Sequence, residues 1–129
     1  MKFLFKAKDG GSESTVTGYW LFESKRFFSI CLLKFEGRSR ECFHTHAFDS
    51  LAWVLKGRLL EHFLYGRKRE HTPSIIPFVV RREDFHKVDS DGDTWVINIR
   101  GPWLDTWKEF LPLKDRFQIL THGRKICEI

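Results

Sequence analysis

What most limits the folds open to this chain is that no helical pattern lasts. Apolar residues never recur at steps of three and four for longer than two turns. Short runs rich in Phe, Trp, Val, Ile and Leu follow one another instead, each closed by glycine, proline or a polar cluster. Residues 3–7, 19–22, 27–35, 51–55, 59–65, 75–81 and 94–99 read as strands. Residues 83–88 lead into another, and 117–120 and 125–129 close the series. Residues 103–111 read as a short strand or an irregular aromatic flap. Residues 8–14 and 36–41 are polar connections, and 66–73 are a basic excursion. Pro77 hints at an edge strand or a bulge. Many short strands at close spacing predict an antiparallel barrel or sandwich.

Two glycine-bearing stretches read as hairpin turns. Lys56-Gly57-Arg58 joins 51–55 to 59–65, because glycine tolerates the positive φ that such turns need. Asp89-Ser90-Asp91-Gly92-Asp93 resembles a calcium loop at a glance. Its glycine stands fourth rather than sixth, however, so it reads as a solvated turn.

At 129 residues the chain reads as one domain: an N-terminal strand and loop over 1–18, a barrel core over about 19–111 and a closing segment over 112–129. Aromatic residues make up 16% of it, which favours bulky packing in a β-rich fold. No apolar run approaches the roughly 20 residues that cross a bilayer. The opening Met1-Lys2-Phe3-Leu4-Phe5-Lys6 is too interrupted for a signal peptide. Cys31, Cys42 and Cys127 lack CxxC spacing and read as thiols in a reducing compartment, so a cytoplasmic location is expected. The net charge of +5 comes from 22 basic and 17 acidic residues with interleaved signs, the pattern of ordinary solubility. Arg67-Lys68-Arg69 and Arg81-Arg82, with Trp103 and Trp107, read as surface charge and core tryptophan. Neither nucleic acid nor membrane is expected as a partner.

The chemistry concentrates around His44-Thr45-His46. Side chains two apart on an extended strand share a face, so both imidazoles can reach one ion. His86, on a distant strand, can complete a three-histidine set that leaves coordination positions open. Asp49 is read as a carboxylate orienting an imidazole from outside the coordination sphere, with direct ligation as the alternative. Its parity is wrong for the strand carrying His44 and His46, so ligation would require a bend at Ala47-Phe48. Cys42 shares the face of His44 but reads as a small buried residue. Asn98, Arg100 and His62 are candidate substrate contacts. His71 and His122 read as surface residues.

These residues resemble the cupin family of small β-barrels. Its first motif runs Gly, a gap, His-x-His, three or four residues, Glu, six residues, Gly. Here Gly37 lies six residues before His44, three residues lead from His46 to position 50, and six more lead to Gly57. Position 50 is Ser50, where the family carries its metal-binding Glu. In the second motif His86 matches, while Arg81 and Glu83 replace the common Pro and Gly. Phe48-Asp49-Ser50, Asp84-Phe85-His86 and residues 95–102 followed by Trp107 are similar to small single-domain, RmlC-like cupins of phage and bacterial genomes, over roughly 27–111.

The resemblance implies an all-β, single-domain cupin barrel: a double-stranded, jelly-roll-like β-helix of two antiparallel sheets. It implies one divalent transition metal on His44, His46 and His86, iron favoured, with Zn, Mn or Ni as alternatives. The expected function is a metal-dependent, oxygenase-like enzyme acting on a small polar or anionic molecule, as in thiol dioxygenases that have lost the Glu. The alternative is a non-enzymatic small-molecule or nucleotide-binding module, possible without metal. Cupins commonly form homodimers, and an exposed edge strand at 3–7 can add to a partner's sheet.

Overall fold

The structure, a computed structural model, describes residues 1–9, 14–37, 43–111, 116–121 and 125–128, with side chains placed through residue 110 and at Ile119. Cys42, His122 and the centres of the polar connections at 8–14 and 36–41 lie outside the described residues. Among those residues there are twelve strands and no helix. They are β1 (Lys2–Lys8), β2 (Val16–Glu23), β3 (Ser29–Glu36), β4 (Ser50–Lys56), β5 (Leu59–Phe63) and β6 (Lys68–His71). The chain continues through β7 (Phe78–Val80), β8 (His86–Ser90), β9 (Asp93–Arg100), β10 (Thr106–Leu111), β11 (Arg116–Thr121) and β12 (Lys125–Glu128).

One wall of the barrel is a six-stranded antiparallel sheet in the order β1-β2-β3-β9-β4-β7. The other is made of two three-stranded pieces, β6-β5-β8 and β10-β11-β12. Alternation along the strands sets the inside. On β9, Thr94, Val96, Asn98 and Arg100 are buried and the residues between them are half-buried. β3 buries Ser29, Cys31 and Leu33, and β4 buries Ser50, Ala52 and Val54. The apolar core joins Trp20, Cys31, Leu33, Ala52, Val54, Leu59 and Val96, with Phe5 stacked on Trp20. Each fully buried aliphatic chain of this kind contributes about 1.5–3 kcal/mol.

The fold corrects four sequence expectations. The basic excursion at 66–73 contains strand β6, whose Arg69 and His71 turn inward to a buried partner that a short window cannot reveal. The aromatic flap resolves into strand β10, paired with β11. The run over 75–81 keeps only the three residues of edge strand β7, which starts directly after Pro77.

Lastly, neither glycine turn closes a hairpin. β4 pairs with β7 and β9, while β5 pairs with β6 and β8, so the chain passes from one wall to the other at Gly57. It passes back at Gly92, between β8 and β9. Glycine and polarity announce a turn but not which sheet receives the next strand. The two corners are tied together. Arg58 N donates to Thr94 Oγ1 at 3.0 Å, the Thr94 hydroxyl donates to Arg58 O at 3.1 Å, and Asp91 N donates to the same carbonyl at 3.0 Å. Gly57 has φ +91°. A Cβ there would collide with Thr94 Oγ1 and come within 2.7 Å of Asp93 O.

Candidate metal centre

Residues 43–46 lie in the seam between the two three-stranded pieces. His44 forms isolated antiparallel bridges to His86 on β8 and to Glu109 on β10. His44 N donates to His86 O at 2.9 Å, and His86 N donates back to His44 O at 3.0 Å. On the other side, Thr45 N donates to Lys108 O at 2.8 Å, Lys108 N to Thr45 Oγ1 at 2.8 Å, and Phe110 N to Phe43 O at 2.7 Å. His46 N reaches Arg82 O at 3.2 Å. The segment is thus pinned along both edges, and the barrel brings residue 86 across the sequence to meet residues 44 and 46.

The side chains follow the backbone. One potential ligand nitrogen from each of His44, His46 and His86 lies within 4.8 Å of the others. Ring centroids are separated by 4.9, 5.2 and 4.8 Å, all in edge-on arrangements. Nδ1 of His46 and Nε2 of His86 are buried without a hydrogen-bond partner among the described residues. Burial, then the nearby His86, His44 and Arg100, hold the His46 pKa well below the usual imidazole range. That ring is therefore neutral and keeps a lone pair. Converging neutral imidazoles with unpartnered buried nitrogens fit a divalent transition metal.

A residue that the motif reading passed over completes the arrangement. Glu61 on β5 is 1% exposed. His86 Nδ1 lies 2.5 Å from Glu61 Oε2, and His71 Nε2 lies 2.9 Å from Oε1. Arg69 donates to Oε1 through Nε at 3.1 Å and forms an ion pair through its terminal nitrogen at 3.0 Å. Burial alone would raise the Glu61 pKa. Hydrogen bonds from His71 and His86, with the charges of His86 and Arg69, instead hold it well below the usual carboxylate range. A carboxylate only accepts, so the His86 proton sits on Nδ1 and Nε2 keeps its lone pair. This is the orienting role that the sequence reading gave to Asp49. The clue was available: Leu59, Glu61 and Phe63 share the inward phase of β5, where an acidic residue needs partners.

Asp49 is placed elsewhere. It is exposed, and its Oδ1 accepts from Arg82 N at 2.8 Å. It therefore ties down the loop before β8 rather than holding an imidazole. His62 is one residue out of phase with Glu61, and its Nε2 meets Asp89 Oδ2 at 3.2 Å. It does not line the cavity described below. His71, expected at the surface, is buried on Glu61 and stacks on Phe78 at 3.6 Å.

Asn98 and Arg100 do line a cavity of about 440 Å³ that also takes in the three histidines. Its walls are largely apolar, with Trp20, Phe48 and Trp103 prominent. Arg100 Nε donates to Asn98 Oδ1 at 2.6 Å, and its two terminal nitrogens meet the Asp9 carboxylate at 3.2 and 2.7 Å. The guanidinium lies over the Phe48 ring at 4.7 Å. Burial would lower the Arg100 pKa, but the Asp9 charge and hydrogen bond outweigh it and raise it. The buried Cys31 thiol is pushed up to about 11, chiefly by desolvation, so at neutral pH it is an inert small core residue.

Comparison with known proteins agrees with this geometry at the level of fold. No protein-family model matches the chain, and no curated protein matches it significantly. Many solved structures do. A cupin superfamily protein from Desulfitobacterium hafniense is 20% identical, with a TM-score of 0.57 over 73% of this chain and 84% of its own. The polyketide cyclase RemF from Streptomyces resistomycificus is 13% identical, with a TM-score of 0.70 over 87% of this chain and 83% of its own. The Fe(II) form of HppE is 14% identical, with a TM-score of 0.60 over 75% of this chain and 56% of its own. The chain has the cupin fold, and its histidine cluster is a set of residues that can hold a metal ion. Some of the proteins that share the fold are enzymes.

Proposed function

We propose that this protein is a metal-dependent enzyme of the cupin fold, oxygenase-like in chemistry, that acts on a small molecule with a polar or anionic group. The observation that carries the reading is the buried trio of His44, His46 and His86, with nitrogens left unpartnered inside a cavity of substrate size. In this reading a single divalent ion sits on the three imidazoles, iron favoured because the similar HppE structure is an Fe(II) form. Zn, Mn or Ni are the alternatives. When bound, such an ion supplies Lewis acidity and open coordination positions. The chain's own residues do the rest. Glu61 fixes the His86 tautomer, burial keeps His46 neutral, and the aromatic wall excludes water from the apolar part of a ligand. Arg100 already faces Asp9, so an anionic substrate gains its charge only by sharing or displacing that carboxylate.

The location proposed is cytoplasmic, with neither nucleic acid nor membrane as a partner. Among the described residues no helix is long and apolar enough to cross a membrane.

One observation favours the second reading, a small-molecule or nucleotide-binding module that needs no metal. Ser50 stands where the motif's carboxylate ligand would be, and Glu61 is committed to its histidines. Elemental analysis of protein purified without a His tag decides between them. Near-stoichiometric iron supports the enzyme. No metal under any loading condition sinks it and favours the module. A metabolite library read by thermal shift then searches for the ligand, since binding to the folded state raises Tm.

A further inference from the structure

The face of the six-stranded sheet that points away from the cavity carries an unbroken apolar row. Phe3, Phe22, Ile30, Ile99, Leu51 and Val79 stand on β1, β2, β3, β9, β4 and β7 in turn, each the register partner of the next. Partners in an antiparallel ladder project on the same face. A second row runs parallel to it: Tyr19, Leu32, Ile97 and Trp53, again partner to partner. Between them these rows place ten apolar or aromatic side chains, and no charge, across the sheet. All are exposed or half-buried, while their neighbours along β3, β4 and β9 fill the core. Val79 is 47% exposed, and Leu51 is 39%. Charge returns one step along the strands, where Lys34 pairs with Glu36 and Asp93.

From these rows we infer that a second copy of this chain docks on the outer face of the six-stranded sheet, giving a two-fold homodimer packed sheet to sheet. Size supports this occupant. At about 4.8 Å between strands the sheet is about 29 Å wide, and at about 3.3 Å per residue its longest strands run about 26 Å. The footprint of about 750 Å² matches the roughly 800 Å² that each partner contributes to a stable interface. Composition supports it too. A charge-free centre with Trp and Tyr inside a charged rim is the pattern of homodimer interfaces, and contiguous apolar patches of this size are uncommon on monomers. Two copies of one twisted sheet carry the same twist, so they pack aligned at about −30° with side chains interdigitated. The docking face is the flat of the sheet and not the β1 edge, so the sheets stack without adding strands. This inference does not depend on the metal or on the proposed chemistry.

The test is the mass of the full chain in solution at micromolar concentration, by light scattering on a sizing column and by sedimentation. The expected result for the wild type is twice the mass of one chain. Leu51→Lys and Val79→Lys, made separately because either site can be sensitive, should each shift the dimer to monomer while leaving the circular dichroism spectrum unchanged. Ile75→Lys, at a 94% exposed site outside both rows, should leave it a dimer. A monomeric wild type overturns the inference. So does a dimer that survives both lysines in folded variants, or one that Ile75→Lys dissociates. If either lysine variant fails to fold, the wild-type mass together with cross-linking settles the question. Inter-chain links that join β3, β9 or β4 to the same strands support the face, and links confined to β1 reject it.

Discussion

The two walls of this barrel are held together differently. In the six-stranded sheet, β3 and β9 run side by side through eight registered pairs, and every strand from β1 to β7 meets the next in a continuous ladder. In the opposite wall, β6-β5-β8 and β10-β11-β12 meet through the isolated bridges of His44. The first wall is redundant, so loss of one contact leaves its neighbours in place. The second relies on four residues that also carry two of the three imidazoles. Structure and chemistry are therefore separable in one wall and fused in the other, and substitutions in the two should read out differently.

The sharpest way to break this comparison is to remove the imidazoles. His44→Ala, His46→Ala and His86→Ala should each abolish metal occupancy in untagged protein, as measured by elemental analysis. Leu33→Ala, in the core against the six-stranded sheet, should cost about 2–5 kcal/mol of stability and leave the folded fraction fully loaded. Equal metal loss in Leu33→Ala would erase the distinction between the walls.

Glu61 gives a graded version of the same test. Glu61→Gln keeps the size of the side chain but offers only one oxygen acceptor to groups now shared by two. Metal affinity should fall about 10–100-fold by competition titration. His71→Ala, which removes one hydrogen bond from Glu61 without touching His86, should fall by less. Unchanged affinity in both would reduce the Glu61 cluster to a packing device.

The corner at Gly57 belongs to the fold alone. Gly57→Val puts a β-branched residue at positive φ and drives its Cβ into Thr94 and the Asp93 carbonyl. Denaturant melts should show a loss of about 1–3 kcal/mol. Metal stoichiometry in the folded fraction should not move. A melt that matches wild type would mean that the two corners yield at no cost.

Much of this was legible in the sequence, for physical reasons. Strand alternation on β3, β4 and β9 is a period-two signal, and it located these strands to within one or two residues. His44 and His46 were found because same-face spacing is local, and His86 because the motif spans it. What stayed hidden depends on partners far apart in sequence. Gly57 and Gly92 mark turns, but only the pairing of β4 with β9 and β5 with β8 shows that the chain changes walls there. Asp49, beside the motif, was given the orienting role that Glu61 holds. Proximity in sequence suggested Asp49, whereas the strand phase of β5 put Glu61 under His86.

The smallest expected effect makes the closest comparison, between adjacent residues on β5. Glu61 points into the barrel and His62 points out, half-exposed, against Asp89. An exposed pair of this kind contributes no more than about 1 kcal/mol, since solvent screens it and two side chains must be held in place. His62→Ala should therefore shift stability by less than about 0.5–1 kcal/mol and leave metal affinity at the wild-type value. One residue along the same strand, Glu61→Gln should lower affinity by at least ten times. A period of two is the whole basis of that contrast. If His62→Ala loses metal while His86→Ala keeps it, β5 is threaded one residue out of register, and the third ligand comes from its outer phase rather than from β8.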